Sequence, residues 1–211
     1  MMKRNSLTNL EGIIERPIFR AVNRARVPIL TIALTYLVFF IIGSVMVHAS
    51  SKFALDRRDR LVRHGVTHDP AALAYQEGKP FRAFSIEFSR DCLRAVPKVL
   101  EGLTIVVPYP LAAYSGWYHG ITSVDDNHDS QLIDPFGAIY YLGFQVLTLL
   151  AFSLASGAGV NLTVACFRSP PWYQGAKWLR VPKEALYDTL RIYLLVVLVV
   201  FLASMWEYLL T

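Results

Sequence analysis

Hydrophobic residues fall into four long runs along the chain, and most charged residues lie between them. The runs occupy residues near 27–49, 99–118, 132–159 and 190–208. An α-helix rises about 1.5 Å per residue, so roughly 20 apolar residues cross a hydrocarbon core about 30 Å thick. The pattern predicts an all-α fold, a polytopic membrane helical bundle with about four transmembrane helices in a single membrane domain over residues 27–211.

Two polar segments accompany these runs. Residues 1–26 are basic and carry apolar side chains every three or four positions, which predicts an amphipathic segment on the membrane surface, with a frayed basic tail as the alternative. Residues 50–91 form the main polar segment. Within it, Asp69 followed by proline predicts the start of a short helix, and Gly78 predicts its end.

Composition favours a protein of the cell membrane. Hydrophobic residues make up 54% of the chain and charged residues 18%, whereas soluble domains have about 25% charged residues. The net charge of +5, with basic residues beside the apolar runs, suits anionic lipid head groups. No nucleic-acid recognition motif occurs, so nucleic acid is not an expected partner. Two cysteines, Cys92 and Cys166, are too few for a disulfide framework and are expected to be free thiols.

The third apolar run carries small residues at intervals of four. They form two ridges, one of Ala151, Ala155 and Gly159 and the other of Ser153 and Gly157. In lipid, such small-residue ridges let two helix backbones approach closely. We predict that this face packs against other helices. The alternative is a lipid-facing helix that is merely rich in Ala and Gly.

Three polar residues stand out within or beside the apolar runs. Glu101 lies at the entry of the second run, three residues after Lys98; Gln145 lies within the third run and Glu207 at the end of the fourth. Polar residues inside a membrane often line a path for a solute or ion. For the two carboxylates, an interfacial side chain that reaches water is the favoured interpretation, and a place in a polar path is the alternative.

The sequence also predicts a topology. Pro108 and Pro110 must kink or break the second run, and a re-entrant segment is the alternative to a span there. If all four runs cross, both termini share one side, and residues 50–91 and 160–188 share the other. The second side holds 12 Lys and Arg against 6, so the positive-inside rule predicts that it is cytoplasmic.

Shorter motifs give alternatives with less support. The acidic turn at residues 119–131 contains three aspartates and His128, which could bind a divalent cation, but a solvated turn is the favoured interpretation and no metal is predicted. Residues 170–173 (PPWY) match a WW-domain ligand pattern and more simply predict a turn with an interfacial anchor. Neither HExxH nor GxSxG occurs, so we predict neither an enzyme nor a cofactor.

Four short segments between residues 84 and 211 share a further pattern: FSRDCLR at 88–94, GWYHG at 116–120, IDPFG at 133–137 and ASMWEY at 203–208. Their order and spacing resemble the stage II sporulation protein M family of multi-pass membrane proteins. The resemblance implies a non-enzymatic membrane component. Family members have a further apolar span between the second and third of these segments, where this chain has the acidic turn.

Two functions are therefore expected. The first is a structural or accessory subunit that packs against partner membrane proteins, in a hetero-complex or homo-oligomer, through its small-residue helix faces. The alternative is a transporter-like or permease-like subunit in which Glu101, Gln145 and Thr148 line a polar path formed on oligomerisation.

Overall fold

The computed structural model describes residues 17–168, Tyr173, 177–178 and 181–209, apart from the side chains of 65–67 and 177. This part of the chain contains eight helices and one short antiparallel strand pair, which confirms a helical bundle. In chain order the elements are α1 (17–24), α2 (Arg26–His48), α3 (Lys52–His68), α4 (Pro70–Gln76), α5 (Pro80–Gly102), α6 (Pro108–Ile121), α7 (Pro135–Arg168), β1 (Lys177–Trp178), β2 (Val181–Pro182) and α8 (Lys183–Leu209).

Helices α2, α7 and α8 are long and apolar enough to cross a membrane. They correspond to the first, third and fourth predicted runs, although α7 continues to Arg168 and reaches 34 residues, or about 51 Å. Large apolar side chains such as Leu30, Val146 and Leu194 lie on their exposed faces. Such faces suit contact with lipid, because water would leave this apolar surface unfavourably solvated.

The break predicted within residues 99–118 is confirmed, and it divides this run between two helices. Helix α5 ends at Gly102, a turn covers 103–107, and Pro108 opens α6. Proline fits the first position of a helix because the N–H that it lacks would have no partner within the helix. Ile105 in the turn has a φ of 62°, a left-handed conformation that β-branched residues rarely adopt.

The short helix expected after Asp69 is confirmed as α4. The Asp69 carboxylate accepts a hydrogen bond from the Ala71 N–H, with an N–O distance of 2.8 Å, and Gly78 follows the helix with a φ of 71°. The predicted amphipathic segment over 1–26 lies largely outside the described residues. Its described part includes α1, in which Ala21 is buried and Phe19 is exposed.

Ion pairs identify which helix ends lie together. Arg24, just before α2, pairs with Asp188 near the start of α8, with a distance of 2.9 Å between Nη1 and Oδ2. At the other end of the bundle, Arg58 of α3 pairs with Asp126 of the turn at 122–134, with 2.8 Å between Nη2 and Oδ1. The starts of α2 and α8 therefore share one end, and α3 shares the other with the acidic turn.

This arrangement corrects the predicted topology, which placed residues 50–91 and 160–188 at the same end. The reason is that α5 and α6 run in opposite directions along the bundle, where the sequence suggested one crossing. Tyr193 of α8 donates a hydrogen bond to the Cys92 carbonyl of α5, with an O–O distance of 2.9 Å. Gly116 and Gly120 bring the α6 backbone against that of α2.

Candidate functional site

One face of α5 is charged and runs from the buried Glu87 to the half-buried Lys98, with Arg94 exposed between them. Glu87, Asp91, Arg94 and Lys98 are spaced by four, three and four residues, a spacing that places side chains on one face of a helix. They line a cavity of about 270 Å³ between α5 and its neighbours. We call this space the α5 cavity.

The other walls of the α5 cavity come from three helices. His119 of α6 lines it, together with residues of α7 and α8 that are mostly apolar. Ala151, Ala155 and Ala203 leave room because their side chains are short. The remaining wall residues are Phe144, Thr148, Phe152, Val196 and Val200. A charged wall thus faces an aromatic and aliphatic one.

Lys98 and His119, which both line the cavity, have defined contacts with neighbouring side chains. The Lys98 ammonium lies 4.8 Å from the centre of the Phe152 ring, which is a cation–π contact. The His119 Nδ1 atom lies 2.7 Å from the Tyr36 hydroxyl and 2.8 Å from the Ser115 carbonyl oxygen. Because a carbonyl oxygen can only accept, Nδ1 carries the proton in this arrangement, which leaves Nε2 as the acceptor of the neutral ring.

The cavity lies beside the apolar part of α8. The rings of Phe88 and Phe201 are 5.6 Å apart, and the Tyr193–Cys92 hydrogen bond joins the same two helices further along. The charged face of α5 is therefore level with helices that are apolar enough to cross a membrane. Inside a membrane, charged side chains are costly and commonly mark a site for a solute or an ion.

A compact ionic cluster lies beside the cavity, and three of its members, Glu87, Asp91 and Arg94, line it. Arg90 pairs with Glu87 and with Asp69, with 2.7 Å between Arg90 Nη1 and Asp69 Oδ1. Arg94 lies 3.3 Å from Asp91 Oδ1 and 4.0 Å from Glu87 Oε1, and Glu87 is only 7% exposed. Glu207 of α8 interacts electrostatically with both Glu87 and Asp91. We call these residues the carboxylate cluster: Asp69, Glu87, Asp91 and Glu207 with Arg90 and Arg94.

Asp69 joins the cluster from outside the long helices. Burial raises the pKa of its carboxyl, but hydrogen bonds from Arg90 and from the Ala71 N–H outweigh burial, so the pKa is lowered below its usual value. Asp69 is therefore ionised at neutral pH, and it links the start of α4 to the middle of α5.

The three predicted polar residues lie in different places. Glu101 is half-buried and pairs with Lys98, with 3.3 Å between Oε2 and Nζ, which places it one turn above the cavity. Gln145 is buried, and its Oε1 lies 3.5 Å from the Tyr36 hydroxyl. Glu207 is half-buried beside the carboxylate cluster. The structure thus brings Glu207 to the site and places Glu101 beside it, whereas Gln145 lies in the contact between α2, α6 and α7.

The small residues of α7 contact helices of the same chain. A Cβ added at Gly157 would lie 2.9 Å from Ile29 Cα of α2, and one added at Gly159 would lie 2.9 Å from Gly102 Cα of α5. Ser153 and Ala155 are buried as well, and Ala151 is half-buried. The ridges therefore pack inside the bundle, and Ala151 and Ala155 also line the α5 cavity.

Sequence reasoning missed Glu87 and Asp91 as site residues. Both acidic residues fell inside the polar segment 50–91, which was expected outside the apolar core. The available signal was the spacing from Glu87 to Lys98, which matches one face of a helix over three turns. A search for apolar runs cannot detect such a face.

The acidic turn is held by side chains of α3. Asp126 pairs with Arg58, and His128 Nε2 lies 3.1 Å from Asp59 Oδ1. The hydrogen bond from His128 lowers the pKa of Asp59, and Asp125 accepts hydrogen bonds from two backbone N–H groups of the turn. Across the described residues, no group of three or more His, Cys, Asp and Glu side chains is placed to hold a metal ion.

Two further predictions concern the described residues only in part. In the PPWY motif, residues 170–172 lie outside the described part of the chain, while Tyr173 is buried and donates a hydrogen bond to Asp188, with an O–O distance of 3.0 Å. Cys92 and Cys166 are both free thiols, as expected.

No protein-family model, no curated protein and no solved structure matches this chain. The resemblance to the stage II sporulation protein M family stays a prediction.

Proposed function

We propose that this chain is a multi-pass protein of the cell membrane that binds a small polar or charged solute in the α5 cavity and passes it across the bilayer. It acts alone or as a subunit of an oligomer. The observation that supports this proposal is the charged face of α5, which lines a cavity between apolar helices.

The charged face of α5 would carry a free-energy cost inside a bilayer. Placing one Asp, Lys or Arg at the centre of a bilayer costs about 2.5–3.5 kcal/mol on insertion scales. Ion pairs within α5 recover part of this cost, but an apolar face would pack against α7 and α8 without any cost of this kind. A charged face beside an open cavity is therefore better explained by solute binding than by stability.

The expected role as an accessory subunit has less support. It relied on the small-residue ridges of α7 as a docking surface, and those ridges contact α2 and α5 of the same chain. Docking through another face stays a prediction, as does the sporulation-family resemblance.

Cysteine accessibility tests the proposal without knowledge of the solute. In a background without the native cysteines, Thr148→Cys and Ala151→Cys place a thiol in the α5 cavity, and Val146→Cys places one on the exposed face of the same helix. After reconstitution in liposomes, small charged methanethiosulfonate reagents should modify the two cavity thiols at least tenfold faster than Cys at position 146. Equal and slow modification of all three would refute a water-accessible cavity, and the proposal with it.

A further inference from the structure

The ionic groups that line the α5 cavity already have partners of opposite charge. Arginine side chains pair with both Glu87 and Asp91. The Lys98 ammonium pairs with Glu101 and also lies over the Phe152 ring. An ion that entered the cavity would have to compete with one of these pairs for its partner. A neutral solute would leave every pair in place, so the charges favour a solute without net charge.

Two polar groups of the cavity wall have no hydrogen-bond partner among the residues that the structure describes. They are Nε2 of His119 and the hydroxyl group of Thr148, and both residues line the cavity. The proton of the neutral His119 ring is on Nδ1, beside the Ser115 carbonyl oxygen, so Nε2 can only accept a hydrogen bond. The Thr148 hydroxyl can both donate and accept. A bound molecule would therefore meet an acceptor on α6 and a hydroxyl on α7.

The paired charges can also bind hydroxyl groups without losing their partners. A carboxylate accepts more than one hydrogen bond, and a guanidinium group has five N–H donors. A hydroxyl group both donates and accepts, so a chain of hydroxyls can satisfy acceptors and donors wherever they occur on the wall. Phe144, Val196 and Val200 supply apolar surface for the carbon chain. Apolar walls with a few polar groups that fix the orientation are typical of small-molecule sites.

The volume of the cavity limits the size of the solute. The cavity measures about 270 Å³, and an apolar cavity of about 150 Å³ is large enough to bind benzene. By proportion, the α5 cavity holds a molecule of roughly ten non-hydrogen atoms. Short linear polyols such as erythritol and xylitol are no larger than this.

We propose that the α5 cavity binds a small neutral polyol, with one hydroxyl donating to His119 Nε2 and another bonded to the Thr148 hydroxyl. The inference rests on the proposed solute site and names its substrate class. Binding changes no protonation state and no ion pair. His119 requires that the solute carry a hydrogen-bond donor, and the paired charges of α5 disfavour an ionic solute.

Protection of a cavity thiol tests the class of solute. In the background without native cysteines, Ala151→Cys places a thiol in the cavity. Erythritol at about five times its dissociation constant should slow methanethiosulfonate modification about sixfold, because only the unoccupied fraction reacts. Diglyme, an ether of similar size, accepts hydrogen bonds but cannot donate them, and it should give no protection at equal osmolarity. The charged solutes choline and lactate should give none either. Equal protection by diglyme would overturn the required donor, and protection by choline or lactate alone would overturn the neutral class.

Variants of the two polar groups test the predicted contacts. In the Ala151→Cys protein, Thr148→Val keeps the shape of the side chain and should raise the erythritol concentration for half-protection about three- to tenfold, the loss of one hydrogen bond. Thr148→Ser restores the hydroxyl and should reverse the effect. His119→Phe should weaken protection to a similar extent. Thr163→Val is the control, since Thr163 lies on the same helix and outside the cavity wall. Half-protection at the original concentration in both Thr148→Val and His119→Phe would overturn the proposal.

The outcomes separate this inference from the proposed function. If the thiol at position 151 is modified rapidly and erythritol does not protect it, the polyol is wrong and the solute site stands. If the thiols at positions 148 and 151 are both inaccessible, the proposed function itself fails.

Discussion

Replacing Gly159 by Ala tests the contact that positions α5 against α7. A Cβ at residue 159 would meet the Val99 carbonyl oxygen within van der Waals overlap and would lie 2.9 Å from Gly102 Cα. Ordinary van der Waals contact begins at 3.4 Å. The backbones of α5 and α7 must therefore separate until the distance from this Cβ to Gly102 Cα rises from 2.9 Å to at least 3.4 Å. Both neighbours are backbone atoms, which cannot turn aside as a side chain can.

The magnitude follows from two opposing effects. Overpacking of this kind costs about 1–3 kcal/mol, while the higher helix propensity of Ala returns up to about 1 kcal/mol. We therefore expect Gly159→Ala to lower the free energy of unfolding by about 1–2 kcal/mol. Unfolding in mixed micelles, followed by the helical circular dichroism signal against the fraction of denaturing detergent, measures this change.

Gly137→Ala is the matched control on the same helix. The nearest atom to a Cβ at residue 137 is the Asp134 carboxylate oxygen at 3.2 Å, which accepts a hydrogen bond from the Gly137 N–H. This side-chain oxygen need move only by a few tenths of an ångström to accommodate the Cβ, and the hydrogen bond is kept. This variant should differ from the wild type by less than about 0.5 kcal/mol. A Gly159→Ala protein as stable as the Gly137→Ala protein would refute the close backbone contact between α5 and α7.

Two further predictions concern topology and the end of the bundle at Asp188. In membrane vesicles, Arg20→Cys and Lys183→Cys should react with an impermeant thiol reagent from the same side, and Arg57→Cys from the opposite side; labelling of all three from one side would contradict the helix directions. Asp188→Asn should lower the free energy of unfolding by about 1.5–3 kcal/mol, because the half-buried Arg24 and Arg191 lose the buried carboxylate that pairs with both of them. Glu184→Gln, which removes an exposed partner of the same helix, should cost less than about 1 kcal/mol, and equal losses in these two variants would count against the buried network.

The three apolar helices could be predicted from the sequence because length and hydrophobicity are local properties. Nothing beyond residues 26–48 is needed to identify α2 as long and apolar enough to cross a membrane. Helix α5 could not be found in this way, because its charged face and its apolar face alternate along the chain and cancel in any average. Helix α5 runs from Pro80 to Gly102. It therefore joins residues that the sequence analysis divided between a polar segment and an apolar run.

The candidate site, like the fold, could be predicted only in part from the sequence. Lys98 and Glu101 are three residues apart in the sequence and form an ion pair in the structure, because neighbours on one helix face are fixed by the helical period. The neighbours of Gly157 and Gly159 could not be predicted. A small residue indicates that another helix packs closely against it, but it does not indicate which helix. The same holds for the approach of Glu207 to Glu87, which depends on how α8 lies along α5.

The α5–α6 pair has a consequence for biogenesis. Segments enter the lipid from the translocon according to their apolarity; α5 carries several charges, and α6 has only 14 residues, less than a bilayer crossing requires. Residues of α7 and α8 lie across from the charged face of α5, and both helices follow α5 and α6 in the chain. The charged face is therefore covered only after the C-terminal half of the chain has been synthesised.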